Sequence, residues 1–479
     1  MLPFYDILSV EQATQIHESA LYVLNHMGLR IEHDGALEKL AEAGANVDFS
    51  NHCACFPEDM INMALDQVPK QFTCAGRSPE FDFDLGSERR IPILRSGAGC
   101  IRILDAGSNE VRPLLRKDGI DSARLNDALE RVNVNCTLTL SDIPQTTYDI
   151  HALKDALIHC RKHTWALTLD SKNLRYQIEM MLAVAGSRQN LAERPLCSGV
   201  FSVISPMYIP YDEIERLLLY GKYHIPVKMT VIPLKGANSP YTIAGTMTSI
   251  NAQFLGALVV QQTLCPGQPA LYYAGAKSMD MRTGIAVPNL SPENQLIIAG
   301  ICQLGRHYKL PTEMSLLVFP GCQMHQYLFH LGSSILWAMT AGIQGIGSVG
   351  NFDGSNVWSP EAVILADEIV AYYERLFTGF EINKGTLALE AILRVGHRGH
   401  FLSDPDTLEH LKMEPSFISS LFDYGSYDDW TKSGFKTIIN RAHERLEEIL
   451  RKHEVPELDP EVRKELDNIA NSADRKLLK

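Results

Sequence analysis

Apolar positions along this chain follow a regular alternation from about residue 113 onward. Short continuous apolar runs recur at Val132–Leu140, Thr164–Leu169, Gly199–Ile204, Val227–Ile232, Ala270–Tyr273, Met314–Phe319 and Gly345–Val349. Runs of this length bounded by turn residues read as strands buried on both faces. Between them, Ile150–Arg161, Tyr176–Ala185, Tyr211–Tyr220, Thr242–Leu264, Pro292–His307 and His325–Thr340 carry helical segments. Pro360–Leu376 follows the last strand, with Pro360 suited to a first helical turn. Apolar strands separated by helices predict a parallel sheet covered on its face. Seven strands, plus one from 92–104, make eight, so a (β/α)8 TIM barrel is the first expectation. An open doubly wound sheet is the second, because the pattern does not fix closure.

The flanks differ. Residues 9–31 read as an amphipathic helix with Ser9 as N-cap and Ile16, Ala20, Leu24 and Met27 at helical spacing. Ala36–Ala45 and Glu58–Val68 read as two more helices, and 71–112 breaks into short strand-like runs split by Gly, Ser and Asp. This divides the chain into an N-terminal helical and β-rich extension (1–112) that contributes the start of the barrel, the main barrel (113–385) and a C-terminal loop and helical tail (386–479). In the tail, Gly396–Pro405 reads as a loop, Trp430–His453 as one amphipathic helix, and 459–479 as a charged helix, frayed or packed on a partner subunit.

Composition narrows the class. With 45% hydrophobic and 21% charged residues the chain is ordinary globular material. Its 44 Lys+Arg against 57 Asp+Glu give a net charge of −13, with no basic run, which argues against nucleic acid and anionic membranes as partners. No apolar stretch reaches the roughly 18 residues of a transmembrane helix. The N-terminus lacks a basic segment followed by an apolar one, so a cytoplasmic location is expected. The ten cysteines are scattered, none in C-x-x-C, which predicts reduced thiols; Cys53-x-Cys55 has no second pair at zinc spacing.

Gly345-Ile-Gly347-Ser-Val-Gly350 matches G-x-G-x-x-G, but the glycines lie on the last strand and no helix opens there. They are expected to let a crowded strand pack rather than to bind a dinucleotide. H-E-x-x-H, the P-loop and the nucleophile elbow are absent from the sequence. No resident metal or nucleotide is therefore expected. Met279-Asp-Met-Arg-Thr-Gly284 follows the strand Ala270–Tyr273, at the rim where barrel enzymes build their sites. Asp280 and Arg282 there read equally as a rim salt bridge. Aromatic residues on several rim loops could cage a quaternary ammonium, at about 0.5–2 kcal/mol per ring.

Several segments in order resemble the trimethylamine methyltransferase superfamily over nearly the whole chain. They are Pro233–Pro240 leading into Thr242–Gly245, Pro266–Pro269, Met279–Gly284, Pro292-Glu293, Gln303–Arg306 with Leu310-Pro311, and Gly399-His-Phe-Leu402. The resemblance implies a (β/α)8 barrel that moves a methyl group from an amine to the cobalt of a corrinoid (cobalamin-type) carried by a separate small protein. Founding members carry pyrrolysine after the last strand, at about Asn351 here, where this chain has an ordinary residue. That departure resembles the non-pyrrolysine branch, whose members demethylate quaternary amines such as glycine betaine, carnitine and proline betaine. A quaternary ammonium already holds a good leaving group, a neutral tertiary amine, so Co(I) can attack the methyl carbon without a general acid. Two competing readings are weaker. A corrinoid carrier would need Asp-x-His-x-x-Gly, but Asp149-Ile-His151 is followed by Lys154 in the glycine position. A non-catalytic betaine-binding protein is the other.

On this reading the pocket is formed by the rim loops 272–282, 319–330 and 351–358. Tyr273 and Phe352 are expected to face the ammonium, with Tyr272 and Phe319 beside them and Asp353 adding charge complementarity. Arg282 or His330 is expected to hold a substrate carboxylate. Asn351 and Asp353 are the candidate catalytic positions, Asn351 near the path between methyl group and cobalt. The expected partners are a cognate corrinoid protein, the small amine, and further copies of the chain as a homo-oligomer.

Overall fold

Eight parallel strands close into a barrel in chain order: β1 (Ile93–Ser96), β2 (Val132–Cys136), β3 (His163–Trp165), β4 (Cys197–Val203), β5 (Val227–Val231), β6 (Ala270–Tyr273), β7 (Thr312–Ser315) and β8 (Gly345–Val349), which pairs back with β1. The structure is a computed structural model describing residues 4–86, 88–97, 99–105, 110–284, 286–287, 291–316, 321–413 and 416–478. Closure decides between the two architectures that the strand pattern left open. A helix follows each strand: α1 (Arg116–Ala128), α2 (Tyr148–His159), α3 (Ser171–Ala185), α4 (Tyr211–Lys222), α5 (Ile243–Leu264), α6 (Pro292–His307), α7 (Met324–Ala341) and α8 (Pro360–Thr378). α1 escaped the sequence reading because its buried face is polar, with Asp118, Ser122, Asn126 and Asp127 turned inward.

The N-terminal helices Val10–His26, Asp34–Glu42 and Glu58–Gln67 pack over α5. Ser9 caps the first, accepting from the Gln12 amide at 3.2 Å while the Gln12 side chain accepts from the Ser9 amide at 2.9 Å. α5 has the length and hydropathy of a membrane span. Here it is apolar all round because the barrel covers one side and these helices cover the other. The hairpin Gln71–Cys74/Phe83–Gly86 closes the N-terminal end of the barrel, setting Phe72, Phe83 and Leu85 against Ile93, Val134 and Leu271. The barrel interior is thus sealed at that end and approached from the C-terminal rim.

At that rim, Asn351–Phe352 and Val357–Trp358 form a hairpin, which joins the hairpin Arg102–Asp105/Glu110–Pro113 in one four-stranded sheet. In the tail, the expected helix Trp430–His453 is two helices, Tyr427–Lys432 and Ile438–Lys452, the second packed on α1 and α8. The last helix, Pro460–Leu477, packs on its own barrel. It buries Leu466, Ile469, Ala470 and Ala473 against α2 and α3 and pairs Asp467 with Lys154 (2.7 Å) and Asp474 with His151 (3.0 Å). Part of its charged surface is therefore a docking face within the chain. All ten cysteines are free thiols.

Candidate functional site

Barrel interiors are normally filled by branched aliphatic side chains. This one holds three buried charges. Arg95 on β1, Lys228 on β5 and Glu313 on β7 each have under a tenth of their surface exposed. Arg95 Nη2 donates to Glu313 Oε1 at 2.8 Å and Lys228 Nζ donates to the same oxygen at 3.1 Å. The indole of Trp165, at the end of β3, lies against both cations, with Arg95 Cζ 4.1 Å and Lys228 Nζ 4.2 Å from its ring centroid.

The glycines of β8 make room for this group. A Cβ on Gly347 would lie 2.0 Å from Arg95 Nη2 and 2.8 Å from Glu313 Oε1, and one on Gly345 would lie 3.2 Å from Glu313 Cγ. The glycine run therefore serves packing, as expected, and what it packs against is the charge cluster. Gly347→Ala is expected to lower stability by about 1–3 kcal/mol through overpacking. A urea-unfolding midpoint equal to wild type would contradict that.

The charges do not balance. Burial alone would raise the Glu313 carboxyl, but Arg95 and Lys228 outweigh it and hold its pKa at about 2. Burial, reinforced by Arg95, pushes Lys228 down to about 8, so it is still mainly cationic at pH 7. The neighbouring Cys136 thiol is pushed up by burial to about 11 and stays neutral. Two cations and one anion leave the barrel floor with one positive charge in excess.

Above this floor is a cavity of about 340 Å³, lined by Arg95, Lys228, Trp165, Tyr220, Tyr273 and Thr230, with Ser355 from the loop after β8. Glu313 is absent from that lining and instead borders a cavity of about 30 Å³ on the hairpin side. The larger cavity thus meets the cations, with their counter-ion behind them. Among the buried polar atoms of its lining residues, Arg95 Nε, Thr230 Oγ1 and Ser355 Oγ make no hydrogen bond within the protein. A second lining pair, Glu213 and Arg216 on α4, neutralises itself. Among the described lining residues there is no histidine and no thiol.

The expected site residues are distributed as follows. Tyr273 lines the cavity, with Lys228 Nζ 5.5 Å from its ring centroid. Tyr272 does not: its ring stacks on Phe254 of α5 at 3.6 Å and its hydroxyl donates to Asn251 at 3.0 Å. Successive strand residues point to opposite faces, so only one of the two tyrosines can look into the barrel. Phe352 is fully buried against Tyr327 of α7, with centroids 4.4 Å apart, rather than at the cavity wall. Asn351 is buried at the start of the rim hairpin. Asp353 pairs with Arg102 at 2.9 Å on a half-exposed surface, so its charge is already answered there. Arg282 is 90% exposed and pairs with Asp280 at 3.1 Å, the rim salt bridge rather than a pocket cation. His330 lies on α7 with its ring edge-on to Phe329 at 5.0 Å, outside the cavity lining, and partial burial lowers its pKa. Phe319 lies outside the described residues. Sequence reasoning missed Arg95, Lys228, Glu313 and Trp165, although Arg95 and Lys228 interrupt apolar strands; Glu313 stands one residue before the expected run Met314–Phe319.

Comparison with known proteins agrees with this architecture. The trimethylamine methyltransferase (MTTB) family profile matches residues 1–476. A trimethylamine methyltransferase of Desulfitobacterium hafniense is 30% identical over 459 residues, covering 95% of this chain and 90% of the relative. A glycine betaine methyltransferase of another strain of that species is 26% identical over 470 residues, covering 96% of each. Among solved structures, the Methanosarcina barkeri monomethylamine methyltransferase superposes with a TM-score of 0.51 at 14% identity, over 91% of this chain and 92% of that one. At that identity the likeness concerns the fold alone.

Proposed function

The chain belongs to the trimethylamine methyltransferase family, and on that premise we propose that it transfers a methyl group from a carboxylated quaternary amine to the Co(I) corrinoid of a partner protein. Glycine betaine is the first choice of donor, with carnitine and proline betaine next. The observation that carries this reading is the cationic barrel floor. Arg95 and Lys228 face the cavity with one charge in excess, and Arg95 Nε has no partner. A bare cationic amine would meet repulsion there. A betaine would place its carboxylate on the two cations, where a charge-assisted hydrogen bond is strongest. Its ammonium would then lie toward the rim beside Tyr273.

This assignment moves the carboxylate receptor from Arg282 or His330 to Lys228 and Arg95. In the transfer, the carbon–nitrogen bond breaks, a carbon–cobalt bond forms, and the electron pair leaves with the neutral tertiary amine. No proton moves in this step. The residues' work is to desolvate the donor and to fix one methyl group outward, toward the acceptor. The cobalt of the partner supplies the nucleophile.

The test is a panel of donors incubated with the protein and a carrier holding Co(I), following methyl-Co(III) by its absorbance. Glycine betaine, carnitine or proline betaine should react, and tetramethylammonium and trimethylamine should be far poorer. Equal rates for trimethylamine would overturn the substrate class. Tight binding of a betaine with no methyl transfer to any carrier would favour a binding protein.

A further inference from the structure

We propose that Asp105, Glu361 and His443 bind one divalent transition-metal ion, zinc by the chemistry of its ligands, at a site separate from the donor cavity. The three residues come from elements that only the fold brings together. The strand Arg102–Asp105 runs parallel to Val357–Trp358, with Arg102 opposite Val357 and Ile103 opposite Trp358, which carries Asp105 on to the start of α8. Glu361 sits in the first turn of α8, and the tail helix Ile438–Lys452, packed on α8, supplies His443. His443 Nδ1 lies 2.9 Å from Glu361 Oε1. Two donors about 2.0–2.2 Å from one ion, at ordinary coordination angles, are about 2.8–3.6 Å apart. The donor atoms of all three residues lie within 4.8 Å of one another. One ion spans roughly 4.4 Å between opposite ligands, and the exposed Asp105 side chain has the freedom to close the small difference.

The surroundings fit a cation. Glu361 is 1% exposed, and its other oxygen, Oε2, accepts from the buried Ser359 hydroxyl at 2.7 Å. Such a bond fixes the direction of a ligating carboxylate. The three residues open onto a cavity of about 160 Å³. Waters at ~30 Å³ each have room there to fill the remaining coordination positions. Among the described lining residues, the carboxylates of Asp105, Asp118, Asp121 and Glu361 face Arg112 as the one permanent cation, and Arg112 is held by Asp118 at 2.7 Å. The field in the cavity therefore favours positive charge. Trp358 walls the same cavity, and its buried Nε1 makes no hydrogen bond within the protein. A water carried by the ion offers that donor an acceptor. An imidazole beside two carboxylates selects zinc or a neighbouring transition ion over calcium and magnesium, which take oxygen ligands. The cavity shares no lining residue with the donor cavity, so the ion's role is to fasten rather than to react. It ties the tail helix to the rim sheet, whose hairpin Asn351–Phe352/Val357–Trp358 carries Ser355 to the donor cavity. The expectation of no resident metal rested on local motifs, and ligands at positions 105, 361 and 443 leave none in the sequence.

The test takes the full chain, strips it with a chelator, and titrates it with zinc by calorimetry while the thermal midpoint is followed in parallel. Wild type should bind one zinc per chain, and its Tm should rise with zinc concentration, because the ion binds the folded state. Ser359→Ala, which removes only the bond that orients Glu361, should weaken zinc binding by about 10- to 100-fold. Asp105→Asn and His443→Ala should each weaken it further. Asp105→Asn alters an exposed side chain, so its far-UV circular dichroism should match wild type and its loss of zinc should not reflect misfolding. A wild type that binds no zinc would overturn the proposal. So would unchanged affinity in Asp105→Asn and His443→Ala, which would put the ion elsewhere. A Tm loss in His443→Ala that is equal with and without zinc would reduce His443 and Glu361 to an ion pair, and the proposal would fail on that result too.

Discussion

Glu313→Gln is expected to destabilise the fold by about 3–5 kcal/mol, the cost of removing one partner from a buried ion cluster. The side chain accepts from both Arg95 and Lys228 through one oxygen. Without its charge, the sealed floor of the barrel holds two cations against a single indole. The ammonium is the weaker of the two, since burial already brings Lys228 to about 8. It is expected to release its proton in the variant well before Arg95 does. The pH dependence follows with a definite sign. The unfolded chain keeps Lys228 protonated up to its ordinary value near 10.4, whereas the folded variant gives the proton up earlier. Between those two values the unfolded state binds more protons, so the stability of Glu313→Gln should rise with pH across that window. Adding Lys228→Met should recover much of the loss at neutral pH by removing the surplus cation. Urea unfolding of the single and double variants from pH 6.5 to 9 measures both effects. A single variant as stable as wild type, or one that grows less stable with rising pH, would remove Glu313 from this role.

The barrel was legible in the sequence because parallel strands covered on both faces leave apolar runs, and each of the eight strands overlaps an expected run, β7 (Thr312–Ser315) by only its last two residues. The same property hid which side chains point inward. In Ala270–Tyr273 every position is apolar and every position is buried, so the period of two that assigns faces is silent. Tyr272 and Tyr273 look equivalent in the sequence and are opposite in space. The signal that was present lay in the exceptions: Arg95 in Ile93–Ser96, Lys228 in Val227–Val231 and Glu313 in Thr312–Ser315 are charges in strands otherwise built for a core. A charge at such a place is costly unless paired, so three of them on separate strands imply one cluster. The rim loops gave weaker signals. Phe352 and Asp353 belong to a hairpin whose partner strand lies some 250 residues earlier in the chain, at Arg102–Asp105, and no local pattern announces that pairing. The docking of Pro460–Leu477 on α2 and α3 is equally non-local.

Lys228→Met is expected to raise KM for a carboxylated quaternary amine by about 10- to 100-fold, the loss of one hydrogen bond to a charged group at roughly 1.5–3 kcal/mol. It leaves Arg95 and Glu313 as a balanced pair at 2.8 Å, so the fold should tolerate it far better than Glu313→Gln. The net charge of the floor falls from +1 to zero. A donor without a carboxylate, such as tetramethylammonium, should bind the variant no worse than wild type, and somewhat better where repulsion had opposed it. That crossed response separates a receptor for the carboxylate from a residue that merely shapes the cavity, because a shape defect weakens both donors. The wild type adds an independent check. Lys228 is lowered to about 8, so its charge fades as pH rises through that value. KM for the carboxylated donor should therefore climb between pH 7 and 9 in wild type and stay nearly flat in Lys228→Met. The corresponding KM for tetramethylammonium should not climb in either. Parallel losses for both donors, or a wild-type profile unchanged above pH 8, would detach Lys228 from the carboxylate. Arg95 would then be left as the only cation of the floor facing the donor.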